Sequence, residues 1–511
     1  MHMDTTLVDA LRGTLRQETG EPVEQVETHI SWVLLTRTHA FKLKKPVRLP
    51  FVDFGSIEAR KHFCDEELRL NRRFAPGLYL DVVPVCGALA SPRIGGEGIP
   101  IDHLVRMRRF PPSSLLSDLL AADRLQPAQL DDLAQRLAAL HVGAAHATVL
   151  SGFGSPEQVV GAATHVLAAL QPQVGKGRLA VLDAWMRDQG QALRMAWIAR
   201  QQGGAVRECH GDLHAANIVL VDGALTPFDC IEFDPALRWI DVFSDVAFLS
   251  MDLKAHGRSD LAFRFLDAWL QHSGDYAGLQ VWRFYEVYRA LVRAMATGLA
   301  PQGPQGTPPP DYLACATRLA APTPAGARLM ITHGFSGAGK SSIASQLLCA
   351  AGAVRVRSDV ERKRLYGLDP LARSAEHGLA IYGEQATLRT FDRLWACARE
   401  ALLAGYPVIV DAAFLRHAER RRFAALATEL RVPFAILDCR ADKDTLRRRV
   451  AARSVAGTDA SEAGVAVLER QFALHEPLQA DEQRSVIEVA THGPIDLAWI
   501  EATWRAGVLR A

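Results

Sequence analysis

The stretch "GFSGAGKSS", residues 334–342, constrains this chain more than any other. It has the spacing G-x-x-x-x-G-K-[ST], with Gly334, Gly339, Lys340 and Ser341 at the defining positions. The apolar run "RLMIT" precedes it and the helical pattern "SSIASQLLCAAG" comes after. Glycines let successive backbone N–H groups turn inward around a phosphate, and the helix adds positive potential at its N-terminus. Gly334, Ser336, Gly337, Ala338, Gly339 and Ser342 form that cradle, Lys340 reaches the outer phosphates and Ser341 a magnesium ion. The strand–loop–helix context predicts a parallel sheet with flanking helices around this segment.

The residues downstream narrow the chemistry. "VRVRSDVERKRLYG" predicts a second strand ending in Ser358 and Asp359, with Arg362 one helical turn on. A carboxylate at a strand's C-terminal end faces the crevice where ligands bind in open α/β sheets. Asp359 is suited to take a hydroxyl proton there while Arg362 orients an acceptor or a phosphate; the alternative is a helix N-cap. "GYPVIVDAAFL" predicts a third strand ending at Asp411, a residue for the magnesium shell. "LDCRADKDTLRRRVAAR" predicts a strand and a basic helix with Arg449 and Arg453 at i and i+4, either a lid over the transferring phosphate or a solvated face.

A different constellation occupies the first half. "HGDLHAANIVL", residues 210–220, fits H-x-D-L-x-x-x-N with His210, Asp212, Leu213 and Asn217. In that loop the aspartate accepts a hydroxyl proton and the asparagine holds a magnesium ion; a turn satisfying its own backbone is the plainer alternative. "LTPFDCIEFDP" then places Asp229 after an apolar strand, where a second metal-binding carboxylate belongs. Upstream, "HISWVLLTRTHAFKLKK" predicts two strands around a tight turn at residues 37–39. Lys42 and Lys44 share one face of the second strand, for phosphate or for solvent. "SIEARKHFCDEELRLNRRF" carries Ile57, Phe63, Leu70 and Phe74 at helical spacing; Glu67 lies on that stripe and is the preferred lysine partner, with Glu66 second. No glycine occurs in "VETHISWVLL", so the glycine-rich loop that covers ATP in many kinases is missing.

"HGDLHAANIVL" followed by "FDCIEFD" resembles the aminoglycoside and choline phosphotransferases, a branch of the protein-kinase-like fold, over residues 25–300. The resemblance implies Asp212 as catalytic base, Asn217 and Asp229 as metal ligands, and Asp245 in "SDVAFL" as a structural anchor. The segment 327–480 resembles P-loop kinases of small molecules and of polynucleotide 5′-hydroxyls, including gluconate-kinase-like and zeta-toxin-like proteins; the D-x-x-R at 359–362 is particularly similar to the polynucleotide kinase pattern. The whole chain resembles bacterial bifunctional aminoglycoside-phosphotransferase-like/ATP-binding proteins. These resemblances imply ATP and Mg2+ at two sites and phosphate transfer to a hydroxyl. The acceptor is then a small molecule or, second, a nucleic-acid 5′-hydroxyl. Two rival readings keep the first half as a substrate-recognising pseudokinase, or make the whole chain a nucleotide-dependent regulatory ATPase.

The remaining features set bounds. At 511 residues the chain exceeds one core. The Pro/Gly-rich stretches "GLAPQGPQGTPPPDYL" and "PTPAGAR" flank a short helical pattern. They predict a boundary near residue 323, and the resemblances then imply an α/β two-domain chain: a bilobal protein-kinase-like α+β domain at 1–322 and a P-loop NTPase domain with a parallel sheet at 323–511. A net charge of +1 argues against a basic nucleic-acid surface over the whole molecule. Eight cysteines without a C-x-x-C pair suit reduced thiols. The opening "MHMDTTLVDALRGTLRQ" lacks an apolar core and no apolar run of membrane-spanning length occurs, so no membrane partner and a cytoplasmic location are expected.

Overall fold

A computed structural model describes residues 5–49, 52–111, 113–299, 309–321, 326–379, 381–456 and 459–507. Much of both Pro/Gly-rich stretches, and the first four residues, lie outside the described residues. The chain forms two compact units. The first takes the described residues of Met1–Leu133, Leu140–Val159 and Ile198–Asp252; the second takes those of Ala134–Ala139, Val160–Trp197 and Leu253–Ala511.

In the first unit, helix α1 (Thr6–Thr19) precedes strands β1 (Glu24–Glu27), β2 (Ser31–Leu35) and β3 (His39–Lys44). A small pair comes next, β4 (Arg48–Leu49) with β5 (Val52–Asp53), and then helix α2 (Ile57–Asn71). Strands β6 (Tyr79–Ala88), β7 (Ser91–Ile94) and β8 (Pro100–Arg108) complete a six-stranded antiparallel sheet ordered β1-β2-β3-β8-β6-β7. Val8, Leu11 and Leu15 of α1 pack on Trp32, Leu34, Phe41 and Leu43, the inward positions of an alternating pattern. The expected turn at 37–39 is present, closed by the Thr36 N–H donating to His39 O at 2.9 Å.

Helix α2 differs from its predicted stripe. It starts at Ser56, whose hydroxyl accepts from the Ala59 N–H, and buries Arg60, Cys64, Glu67, Leu70 and Asn71. Ile57 is exposed and Phe74 lies beyond the helix end. The reason is electrostatic: Arg60 is buried because it pairs with Asp102 at 2.9 Å, and Glu67 because two lysines meet it. A buried face that carries charge is invisible to a purely apolar pattern. Farther along the chain lie helix α3 (Pro127–Gly143) and strand β9 (Val206–Glu208). The hairpin β10 (Ile218–Val221)/β11 (Ala224–Pro227), strand β12 (Trp239–Asp241) and helix α4 (Val242–Ala255) come after them. A small sheet lobe succeeded by helices and a hairpin-flanked loop is the protein-kinase-like α+β order.

The second unit contains helices α5 (Ser259–Ser273) and α6 (Leu279–Leu299) together with the C-terminal sheet. Its strands β13 (Leu329–His333), β14 (Val354–Arg357), β15 (Val408–Asp411), β16 (Phe434–Arg440) and β17 (Val486–Ala490) are all parallel, ordered β14-β15-β13-β16-β17. Near-continuous apolar burial along β13 and β15 is what helices on both faces require. Helices α7 (Lys340–Ala351), α8 (Ser358–Arg364), α9 (Glu384–Leu403), α10 (Lys443–Ala456) and α11 (Val465–Leu474) accompany this sheet. The fold is thus a two-domain α/β chain with a P-loop sheet at its C-terminus.

Helix α5 braces that sheet. Asp267 takes two hydrogen bonds from Arg355 of β14, at 3.2 and 2.7 Å. Arg364 donates to the carbonyls of Leu270, Gln271 and His272 at the C-terminal end of α5, where the helix dipole favours a cation. We retain 322/323 as a proposed boundary between sequence modules, while packing groups α5 and α6 with the P-loop sheet. All eight cysteines are free thiols, and no described helix is long and apolar enough to cross a membrane.

Candidate functional site

The P-loop joins β13, the central strand, to α7 at the carboxyl end of the sheet, the edge where open α/β sheets bind ligands. Gly334 has φ 131°, and a Cβ there would stand 2.5 Å from Cys439 O. Gly337, at φ 81°, approaches Leu446 O in the same way. These two positions need glycine for both conformation and space. Lys340 folds back on the loop, donating to Phe335 O at 2.8 Å. Burial lowers its pKa, and the attraction of Asp411 partly opposes that shift.

A cavity of about 690 Å3 opens over this loop. Lys340, Ser341, Asp359, Arg362, Asp411 and Arg453 all line it. Asp359 does not end the strand, as expected, but sits in the first turn of α8, because β14 passes into the helix without a loop. Nor does it cap: the N-cap position is Arg357, and Asp359 makes no hydrogen bond or ion pair among the described residues. Asp411 is buried, with its Oδ2 lacking any hydrogen bond among the described residues and the Arg357 guanidinium 3.6 Å away. This buried carboxylate oxygen and the Ser341 hydroxyl line the same cavity, and both are oxygen donors of the kind Mg2+ takes.

The two helix arginines part company. Arg453 lines the cavity, with one bond to Ala463 O at 3.1 Å. Arg449 instead grips Thr491 through its Oγ1 at 3.0 Å and its carbonyl at 2.7 Å, and reaches Gly337 O at 3.4 Å. It buttresses the P-loop from behind. Three further residues escaped the sequence pattern: Tyr382, whose ring lies 5.1 Å from the Arg362 guanidinium, Arg357, and Gln471, which accepts the Ser336 N–H at 2.9 Å. Their positions in sequence carry no motif.

The first unit gathers the other predicted residues. Lys42 and Lys44 both pair with Glu67, at 2.9 and 2.7 Å. Lys42 also donates to Asp229 Oδ1 at 2.6 Å, and Lys44 to Glu232, which carries no motif of its own although it stands three residues after Asp229. Glu66 turns away to Arg69 and Arg238. Burial alone would raise the Glu67 carboxyl, but the two lysines hold it down at about 2; burial raises that of Glu232. Removing one partner from a buried charge cluster strands the others. Glu67→Gln is therefore expected to lower stability by about 3–5 kcal/mol at neutral pH. Because the folded value lies below the ordinary 4.5, this contribution is complete above pH 4.5 and fades as the pH falls toward 2. Denaturant titrations of wild type and variant between pH 2 and 7 should converge at the acid end; a constant gap would refute the assignment.

The segment 210–217 is held by Asp245, which accepts the His210 and Gly211 N–H groups at 2.8 and 2.9 Å and faces His141 of α3 at 3.4 Å. Asn217 Nδ2 donates to Asp212 Oδ2 at 2.8 Å, which leaves the amide oxygen as a donor atom for a metal. Asp229 has a left-handed φ of 63°, a strained setting for a non-glycine residue, and its carboxylate is 43% exposed. Asn217 and Asp229 thus offer oxygens suited to Mg2+. The β1–β2 turn, without glycine, is closed by the Thr28 N–H donating to Ser31 O at 2.9 Å and pinned by Lys45 Nζ donating to Thr28 O at 2.5 Å.

A family model described as an AAA domain matches residues 329–478. Among solved structures, a choline/ethanolamine kinase family protein from Mesorhizobium loti is 14% identical, over 61% of this chain and 92% of that one, with a TM-score of 0.37. A gluconokinase from Sinorhizobium meliloti 1021 is 18% identical, over 35% of this chain and 91% of that one, with a TM-score of 0.27. Uncharacterized protein Rv2004c of Mycobacterium tuberculosis (strain ATCC 25618 / H37Rv) is 32% identical over 467 residues, 89% of this chain and 91% of its own length. The chain belongs to the same family as this mycobacterial protein.

Proposed function

We propose that the chain is an ATP- and Mg2+-dependent phosphotransferase acting on a hydroxyl acceptor, with its principal site in the P-loop cavity. One observation carries the reading: a single cavity holds Lys340 and Ser341 at the P-loop, an unpaired carboxylate at Asp359 and a buried carboxylate at Asp411. In this reading Lys340 and the loop N–H groups hold the donor's phosphates, and Arg453 adds a second cation from the other side. Asp359 takes the proton of the acceptor hydroxyl as its oxygen approaches the γ-phosphorus. Ser341 and Asp411 would hold Mg2+, which supplies charge neutralisation for the phosphates. The test is transfer from labelled ATP by the full chain to sugars, nucleosides, aminoglycosides and 5′-hydroxyl oligonucleotides. Label in one acceptor class is expected. ADP release that ignores every acceptor would favour the regulatory ATPase instead.

Asp212, as base, with Asn217 and Asp229, as metal ligands, make the first unit a second proposed nucleotide site, with Lys42, Lys44 and Glu67 beside them. The pinned, glycine-free β1–β2 turn and the full pairing of Lys44 favour a rival, a substrate-recognising pseudokinase. Stoichiometry separates the two. Calorimetric titration with Mg2+ and a non-hydrolysable ATP analogue is expected to count two sites per chain in wild type and one in Lys340→Ala. In Lys340→Ala/Asp229→Ala it should count none. A single site in wild type, lost with Lys340 alone, would establish the pseudokinase.

A further inference from the structure

Arg362 is 7% exposed and lines the P-loop cavity. Its Nη1 donates to Ile381 O at 2.9 Å and to Thr387 Oγ1 at 3.3 Å. Its Nε is buried with no acceptor, and no ion pair reaches the guanidinium among the described residues. Other arginines just as buried are neutralised directly: Arg60 by Asp102, Arg200 by Asp241, Arg355 by Asp267 and Arg420 by Glu482. Asp359 and Glu419 act on Arg362 only from beyond pairing distance, and burial lowers its pKa. A desolvated guanidinium without a counter-ion is costly, and one that faces a cavity is paired by what enters it.

The surroundings indicate what enters. Arg362 comes three residues after Asp359, so both side chains share one face of α8. Tyr382, Leu388 and Phe391 add apolar wall beside them, and the volume of about 690 Å3 is that of a small-molecule site. Arg416 and Arg470 line the same cavity and form no ion pair among the described residues, so the lining keeps an excess of cations even against Asp359, Glu384, Asp411 and Glu419.

We propose that the acceptor of the P-loop site is a small hydroxylated anion, whose carboxylate or phosphate pairs with Arg362 while its hydroxyl meets Asp359. This rests on the phosphotransferase reading above and names its substrate class. In the transfer, the acceptor oxygen bonds to the γ-phosphorus and Asp359 receives its proton. The bond from that phosphorus to the bridging oxygen breaks, and the electron pair leaves with ADP. Arg362 takes no proton; it fixes the acceptor's other end.

The experiment reads binding rather than turnover. The full chain, saturated with Mg2+ and a non-hydrolysable ATP analogue, is titrated calorimetrically with D-glycerate, glycerol 3-phosphate and glycerol, then with 6-phosphogluconate and glucose. At least one anion is expected to bind at least about tenfold more tightly than its neutral counterpart, the loss expected for one charge-assisted pair of about 1.4 kcal/mol or more. The carboxylate and phosphate arms show which anion the site prefers. Arg362→Gln should erase the difference and Arg362→Lys should restore part of it. Equal binding of neutral and anionic members, or no binding by any anion, would overturn the proposal. So would tighter binding of a 5′-hydroxyl oligonucleotide than of every small anion. Loss of ATP-analogue affinity in Arg362→Gln would also overturn it, by assigning the counter-ion to the nucleotide. Failure of the labelled-ATP screen with this anion preference intact would instead sink the phosphotransferase reading alone.

Discussion

Lys340→Ala is expected to abolish most nucleotide binding at the C-terminal site and to lower phosphate transfer there by at least about a hundredfold. The half-buried Lys340 side chain lines the cavity, and among the described residues its ammonium donates to the Phe335 carbonyl at 2.8 Å, so a phosphate oxygen need displace only one neutral acceptor. A cation placed against developing charge in a desolvated site contributes about 3–4 kcal/mol to the transition state. Because Lys340 forms no ion pair among the described residues, its loss leaves no stranded partner, and the unfolding midpoint should stay unchanged. Calorimetry and ADP release on the full chain check both halves of this expectation. The full chain is required because Asp267 of α5 pairs with Arg355 of β14 and Arg364 caps α5, so a fragment beginning at residue 323 would lack that support. Unchanged affinity and turnover in Lys340→Ala would remove the P-loop site.

Asp359→Asn should leave ATP-analogue affinity nearly unaltered while slowing acceptor phosphorylation by about a hundred- to ten-thousand-fold, the range a positioned general base contributes. The amide keeps the shape and loses the proton acceptor. The geometry makes this a sharp test. Asp359 has no cap hydrogen bond to lose, so stability should not change beyond the weak favourable field of a first-turn acid. Single-turnover transfer with saturating acceptor, set beside an unfolding curve, separates the outcomes. A destabilised variant with normal turnover per folded molecule would make the carboxylate a helix-start residue, and the hydroxyl-kinase reading would lose its base.

Much of the architecture was legible because it rests on local chemistry. "GFSGAGKSS" between an apolar strand and a helix demands close packing around the loop: Gly334 meets the Cys439 carbonyl of β16 and Gly337 the Leu446 carbonyl of α10. The alternation of Lys42 and Lys44 placed both on one strand face, and the five-residue spacing of Asp212 and Asn217 was enough to bring them into contact. Such features depend on neighbours in sequence, whose geometry the backbone period sets.

Tertiary structure decided the rest. Glu67 and Glu66 are adjacent and chemically alike, and only the rotation of α2 against the sheet sends the first to the lysines and the second to Arg69. Glu232 enters the lysine cluster from 188 residues away. The i, i+4 pair Arg449 and Arg453 separates into a buttress and a cavity wall because Thr491 stands beside only one of them. Two grouped elements, α5 with the P-loop sheet, lie across the Pro/Gly-rich seam, because a long connection costs only slowly more entropy with length and leaves the packing free to ignore it. Sequence determined which groups exist and which local conformations they take. Which charge meets which counter-charge, and that Arg362 meets none among the described residues, is fixed by contacts between segments distant in sequence, where no residue period reaches.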